Sequence, residues 1–145
     1  MRQVRTKIGQ LLCEQGFISE PQLTAALDSQ KQKKKKIGQI LLDSGVLNSR
    51  QLIETLVLQS SLEKRDLDNV FIEPEVLQKI PPELVTQYNV IPLEQSNGRL
   101  TVAMANPFDT EALQNLRVVT GCGIRRCYSN PIDLEKAILR YYGSN

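Results

Sequence analysis

The chain has 145 residues, a formal net charge of +2 and no histidine. The length predicts one domain or two small subdomains, and the small net charge predicts no strong overall electrostatic field. The absence of histidine removes the commonest general base and the Ser/His and Cys/His nucleophile pairs, and with three cysteines at unpaired spacing it argues against a zinc site. No G-x-x-x-x-G-K-[ST] phosphate loop occurs, so the sequence predicts a binding module with no catalytic residue, no metal and no cofactor.

The first part of the chain contains one 24-residue pattern twice. KIGQLLCEQGFISEPQLTAALDSQ begins at Lys7, KIGQILLDSGVLNSRQLIETLVLQ begins at Lys36, and KQKKK separates them. Ten paired positions are identical, including the Lys, Ile, Gly and Gln that open each copy and the Gln that ends it. Packing explains repeated leucines, but it does not readily explain a repeated Lys, Gly and terminal Gln.

Each copy predicts a helical hairpin. In the first copy a short helix covers about residues 8–15 and Gly16 ends it in the left-handed conformation. Ser19 then caps a second helix, and Gln22, three residues on, completes a capping box. The second copy has the same signals at Gly45, Asn48 and Gln51.

The pattern changes after a polar link at about residues 60–69. Two short helical turns are predicted at 74–79 and 82–88, strands at 90–93, 100–105 and 124–128, and helices from Asp109 to Thr120 and from Asn130 onward. Asn97-Gly98 is a two-residue hairpin signal between the first two strands. The predicted fold class is α+β: a helical subdomain of two repeated hairpins, residues 1–62, packed with a small β-β-α-β-α subdomain, residues 63–145.

The features that both copies preserve suit a nucleotide. A glycine just inside a helix start lets a ligand approach free backbone N–H groups, and the preceding lysine adds a full positive charge. The spaced leucines offer a flat apolar surface for a base, and the final glutamine can bind a base edge or a ribose. Two such half-sites would suit a ligand with two bases and two phosphates. The alternative interpretation is that the glycines permit close helix crossing and the leucines belong to the core.

The double motif, KIGQxL…G…L…L…Q, resembles the tandem motif of the MshEN domain, the N-terminal cyclic di-GMP-binding region of many type II secretion and type IV pilus assembly ATPases. The downstream block IPPELVTQYNVIPLEQSNGRLTVAMANPFDTEALQNLRVVTG and the closing LEKAILRYYG are similar to the N-terminal secretion-ATPase domain. The resemblance covers nearly all of the chain. It implies a regulatory domain, cytoplasmic and peripheral to the bacterial inner membrane, that couples to its own ATPase domain in a hexamer lying beyond this sequence.

The resemblance also implies a set of ligand contacts. They fall at matching positions of the two motifs: Lys7, Ile8, Gly9, Leu23, Leu27 and Gln30, then Lys36, Ile37, Gly38, Leu52, Leu56 and Gln59. The turn from Asn106 to Asp109 is implied to close over one base. This sequence departs from the family at two kinds of position: Lys stands where the family has Arg in both motifs, and Asn106 stands where it often has Asp. Each charge-assisted hydrogen bond to the ligand that is lost in this way would cost about 1–2 kcal/mol, or roughly tenfold or more in affinity.

Two further readings remain open. A docking module would meet an inner-membrane assembly-platform protein without any nucleotide, and an exposed apolar stripe outside the repeats would favour it. The run KQKKKK suggests nucleic acid, but it has no interleaved aromatic residues and the net charge is barely positive, so no nucleic-acid partner is predicted. No apolar run is long enough to insert into a membrane directly.

Overall fold

The computed structural model describes the backbone of residues 3–143 and the side chains of residues 8–143. The chain divides into two compact units, with the division between Ser61 and Leu62. The described part of the first unit is built from four helices, and the second unit combines a three-stranded sheet with four helices. This confirms the predicted α+β class.

The first unit contains α1 (Gln3–Glu14), α2 (Glu20–Gln32), α3 (Ile37–Asp43) and α4 (Ser49–Ser60). Its core consists of apolar side chains contributed by both copies of the motif. They are Leu12, Ile18, Leu23, Ala26, Ile37, Ile40, Leu41 and Leu47. Because each amphipathic helix has only one apolar face, neither hairpin covers these residues alone, and the two copies share one core.

The predicted capping boxes are confirmed at the second helix of each copy. The Gln22 backbone N–H donates to Ser19 Oγ at 3.3 Å, and the Ser19 N–H donates to Gln22 Oε1 at 2.8 Å. In the second copy Asn48 and Gln51 exchange the same two bonds at 2.8 and 3.0 Å. Each box therefore fixes the point where the chain turns into α2 or α4.

One helix boundary differs from its prediction. α1 begins at Gln3, whereas the sequence predicts a start near residue 8. Lys7 is not a capping residue, and the preceding residues continue the helix. Gly9 therefore lies inside a helix, and the prediction that it sits at a helix start was wrong. Gly38 does lie at the second position of α3, a helix of only 7 residues.

The second unit contains β1 (Val90–Ser96), β2 (Arg99–Met104) and β3 (Gly123–Tyr128) in the order β1-β2-β3. β1 and β2 are antiparallel and joined by Asn97-Gly98, whose φ values of 53° and 77° suit a two-residue hairpin turn. β2 and β3 are parallel, so a crossover must join them, and α7 (Thr110–Thr120) provides it. The remaining helices are α5 (Pro74–Leu77), α6 (Pro82–Tyr88) and α8 (Pro131–Tyr142).

The polar link is part of the second unit rather than a free connection. Arg65 N–H donates to Tyr128 O at 2.9 Å, and Tyr128 N–H donates to Glu63 O at 2.8 Å, so this segment pairs with the end of β3. A separate core fills the unit, with Ile91, Leu100 and Leu116 fully buried. Within the described residues, no helix is both long enough and apolar enough to cross a bilayer.

Candidate functional site

The two copies of the motif fold as equivalent hairpins within the first unit. In each, a helix ends at a glycine in the left-handed conformation, Gly16 with φ 78° or Gly45 with φ 82°, and a capping box starts the next helix. The left-handed conformation is the one that glycine adopts without strain, which confirms the predicted helix ends. The repeated sequence is therefore a repeated structure.

The hairpins pack crosswise. α1 of the first copy packs against α4 of the second, and α2 of the first packs against α3 of the second. The first helix of each copy thus contacts the second helix of the other, which is the exchange that an approximate two-fold relation produces. Equivalent helices of the two copies accordingly have matching packing partners within one compact unit.

The repeated glycines have a packing role. A Cβ built on Gly9 would lie 2.6 Å from Leu23 Cδ1, and one built on Gly38 would lie 3.0 Å from Leu52 Cδ1. Within each hairpin, a leucine side chain of the second helix therefore packs directly against the glycine of the first helix. This supports the alternative that the glycines permit close helix crossing, and it accounts for two of the ten repeated identities, Gly9/Gly38 and Leu23/Leu52.

The four leucines of the motifs differ in exposure. Leu23 is only 6% exposed and belongs to the core of the unit. Leu27, Leu52 and Leu56 are half-buried. The second copy therefore presents two leucines at the surface, whereas the first copy presents mainly Leu27. An aromatic ring could pack on these half-buried side chains, but Leu23 adds little area to such a surface.

The remaining motif residues are distributed unequally between core and surface. Ile37 is buried in the core, Ile8 is half-buried against it, and both follow their lysines directly. Lys36 is the exposed N-cap residue of α3, and its side chain makes no capping bond. Lys7 lies in α1, outside the residues whose side chains are described, so its predicted contact stays a prediction.

The terminal glutamines of the motifs also differ. Gln30 Nε2 donates to the backbone oxygen of Lys35 at 3.1 Å, across the connection between the two copies. Gln59 is half-buried, and its side-chain amide has no hydrogen-bond partner among the described residues. Within the described part of the chain, Gln59 therefore has both side-chain donors unengaged, whereas Gln30 has one of its donors engaged.

A cleft adjoins the end of the first motif. It has a volume of about 410 Å³, and Leu27 and Gln30 form part of its wall. The rest of the wall is made of Lys31, Lys33, Lys34 and Lys35. None of these four lysines is among the predicted site residues, although the run of positive charge in the sequence was the available signal. The cleft combines an apolar side chain, an amide and several cations.

An acidic residue lies beside these lysines. Asp43 accepts hydrogen bonds from Gln39 Nε2 at 2.8 Å and from Lys35 Nζ at 3.0 Å. The bond from Gln39, followed by the bond and the charge of Lys35, lowers the pKa of Asp43 below its ordinary value. Asp43 is therefore ionised at neutral pH, and it ties Lys35 to α3.

The two predicted contacts outside the motifs lie in the second unit. Asn106 Oδ1 accepts a hydrogen bond from the Phe108 N–H at 3.0 Å, and Asp109 Oδ1 accepts one from the Ala112 N–H at 3.1 Å. Asp109 is the N-cap of α7, as the sequence predicts. The turn is thus shaped by its own side chains, and its predicted closure over a base stays a prediction.

The sequence model of the MshEN domain family matches residues 60–145, which is more than half of the chain. The chain is also 28% identical over 136 residues to the type IV pilus assembly ATPase PilB of Myxococcus xanthus (strain DK1622). This alignment covers 94% of the chain and 24% of PilB, so the chain spans about a quarter of the length of that relative.

Two solved structures share the fold. The structure of MshE with cdg, which is cyclic di-GMP, has a TM-score of 0.67 at 29% identity and covers 93% of this chain and 98% of that one. The N-terminal domain of XpsE has a TM-score of 0.66 at 21% identity and covers 95% of each chain, which shows the fold alone. The family match is centred on the second unit, whereas the likeness to MshE includes most of the first unit as well.

Proposed function

Because the chain belongs to the MshEN domain family, we propose that it is a regulatory module that binds cyclic di-GMP through its two motifs. The observation that carries the proposal is the crosswise packing of two equivalent hairpins, which suits a ligand that is itself two-fold. The likeness to MshE, whose structure holds cyclic di-GMP, supports the same ligand class.

In this proposal the motif residues have distinct roles. Leu27, Leu52 and Leu56 pack on the guanine bases, Gln59 binds a base edge or a ribose, and Lys7 and Lys36 attract the phosphates. Gly9 and Gly38 contribute by letting the leucines approach the first helix of each hairpin. The chain then acts within a larger type II secretion or type IV pilus ATPase, on the cytoplasmic side of the inner membrane.

The lysines at the motif starts supply the test. Lys36 is exposed and makes no capping bond, so Lys36→Ala should leave the fold intact. We expect Lys7→Ala and Lys36→Ala each to weaken cyclic di-GMP binding by roughly tenfold, and Lys→Arg at both positions to strengthen it, because a guanidinium adds a planar, bidentate contact. Isothermal titration calorimetry of the 145-residue chain measures each affinity.

The control ligand is GMP, and the control variant is Lys64→Ala, which removes an exposed lysine from the second unit. The absence of heat with cyclic di-GMP at high micromolar concentration would rule out the proposed function. Unchanged affinity in both Lys→Ala variants would instead remove these two lysines from the site.

A second candidate function is docking to an inner-membrane assembly-platform protein. The observation that favours it lies on α8, where Ile132 and Leu139 are 53% and 54% exposed. They are seven residues apart, so they lie on one face of the helix. This face belongs to the second unit, and the proposed nucleotide contacts of the motifs belong to the first, so the two functions are compatible.

A further inference from the structure

The connection between the two motif copies carries a concentrated positive charge. We define the lysine connector as residues 31–36, in which every residue except Gln32 is a lysine and all six are exposed. Lys31 pairs with Asp28 at 3.8 Å and Lys35 pairs with Asp43 at 3.0 Å. The other three, Lys33, Lys34 and Lys36, form no ion pair within the described residues.

The backbone of the lysine connector is held in place at both ends. The Lys33 N–H donates to the Ser29 oxygen at 3.0 Å, and Lys33 adopts an extended conformation that ends α2. Gln30 Nε2 then bonds the Lys35 oxygen, and Lys35 Nζ bonds Asp43 on α3. These contacts span the connector, so its side chains project from a defined path rather than from a free loop.

This path places cations beside predicted ligand contacts. The cleft of about 410 Å³ has Leu27 and Gln30 on one part of its wall and Lys31, Lys33, Lys34 and Lys35 on the rest. Lys31 and Lys35 pair with Asp28 and Asp43, and Lys33 lies close enough to Asp43 for its charge to help lower the pKa of that carboxyl, whereas Lys34 forms no ion pair within the described residues. An apolar surface and an amide next to several ammonium groups, two of them without an ion pair, match a base that is joined to a phosphodiester.

The other sources of positive charge are weaker than the sequence predicts. Gly9 lies inside α1, so no free N–H groups of a helix start surround it. α3 has only 7 residues, which limits the partial charge at its first turn. Among the described side chains, the ammonium groups of the connector are therefore the positive charges that line the cleft beside Leu27 and Gln30.

We propose that Lys33 and Lys34 bind the phosphodiester groups of the cyclic dinucleotide, which makes the two half-sites unequal. This inference rests on the proposed function and adds phosphate contacts outside the repeated motifs to those of Lys7 and Lys36. The residues at the corresponding positions after the second motif are Leu62 and Glu63, which carry no positive charge. The first half-site thus attracts phosphate more strongly than the second.

The double variant Lys33→Gln/Lys34→Gln tests the proposal. Both side chains are exposed and unpaired in the described structure, so the variant should melt at the same temperature as the parent chain. We expect its dissociation constant for cyclic di-GMP to rise about fivefold to tenfold at about 50 mM salt, and the difference to shrink at about 500 mM because salt screens exposed charges. The matched control, Lys64→Gln/Lys136→Gln, removes the same charge from exposed positions of the second unit.

Calorimetry at both salt concentrations separates the outcomes. A selective, salt-sensitive loss in the connector variant supports the proposal. Equal affinity of the connector variant and the parent chain overturns it while leaving the proposed function in place, and an equal loss in the control variant overturns it in favour of a general charge effect. If the parent chain binds no cyclic di-GMP, both proposals are overturned.

Discussion

At the scale of single residues, positions that are identical in the two motifs have different environments. Gln30 donates to the Lys35 oxygen, whereas the amide of Gln59 has no partner in the described part of the chain. The difference arises because Gln30 precedes a connector that folds back past the end of α2. Gln30 therefore combines a structural role with its proposed ligand contact, and Gln59 is available for the ligand alone.

Substituting these two glutamines should separate the roles. We expect Gln30→Ala to lower the free energy of unfolding by about 0.5–1.5 kcal/mol, since a hydrogen bond is lost, and Gln59→Ala to leave it unchanged. Both variants should bind cyclic di-GMP more weakly. Urea unfolding followed by circular dichroism gives the stability, and calorimetry gives the affinity. Equal stabilities for the two variants would contradict the structural role of Gln30.

At the scale of elements, each hairpin depends on a glycine–leucine contact between its helices. Leu23 is buried against Gly9, and a Cβ added to Gly9 would lie 2.6 Å from Leu23 Cδ1. Leu52 is half-buried against Gly38, and a Cβ added there would lie 3.0 Å from Leu52 Cδ1. The first contact is tighter and its leucine has less room to move. The two helix crossings use the same glycine–leucine contact, but the crossing at Gly9 leaves less room for an added Cβ than the crossing at Gly38.

Alanine at each glycine measures this difference. Replacing a helical glycine by alanine gains about 1 kcal/mol in helix propensity, whereas displacing a packed core side chain costs about 1–3 kcal/mol. Because the gain offsets part of the cost, we expect Gly9→Ala to destabilise the chain by up to about 2 kcal/mol and Gly38→Ala to be nearly neutral. The exposed neighbour Gln10→Ala is the control for propensity in α1. Thermal unfolding gives the values, and a stabilised Gly9→Ala variant would contradict the crowding at Leu23.

At the scale of the whole molecule, the chain consists of two units with separate cores. The second core includes buried residues from all three strands and from α7 and α8, and the preceding link is paired with β3. The family match also begins at residue 60 and covers this unit in full. We infer that the second unit folds without the first.

Expression of residues 62–145 alone tests this separation. We expect a cooperative thermal transition by circular dichroism, because the fragment retains its own apolar core. The fragment should bind no cyclic di-GMP and should still bind the assembly-platform protein if α8 is the docking face. Ile132→Asp with Leu139→Asp, both exposed, should abolish that interaction without unfolding the fragment. A gradual, non-cooperative transition would contradict the independence of the unit.

Features that depend on near neighbours in the chain follow from the amino-acid sequence alone. Ser19 with Gln22, Asn48 with Gln51, and Asn97-Gly98 act over two to four residues, so the predicted capping boxes and hairpin turn are confirmed. Tertiary packing sets the burial of Leu23 and the partial exposure of Leu52, because burial depends on helices that are distant in sequence. The same holds for the packing of α1 against α4 and of α2 against α3, since helices from different copies of the motif are brought together by packing rather than by spacing.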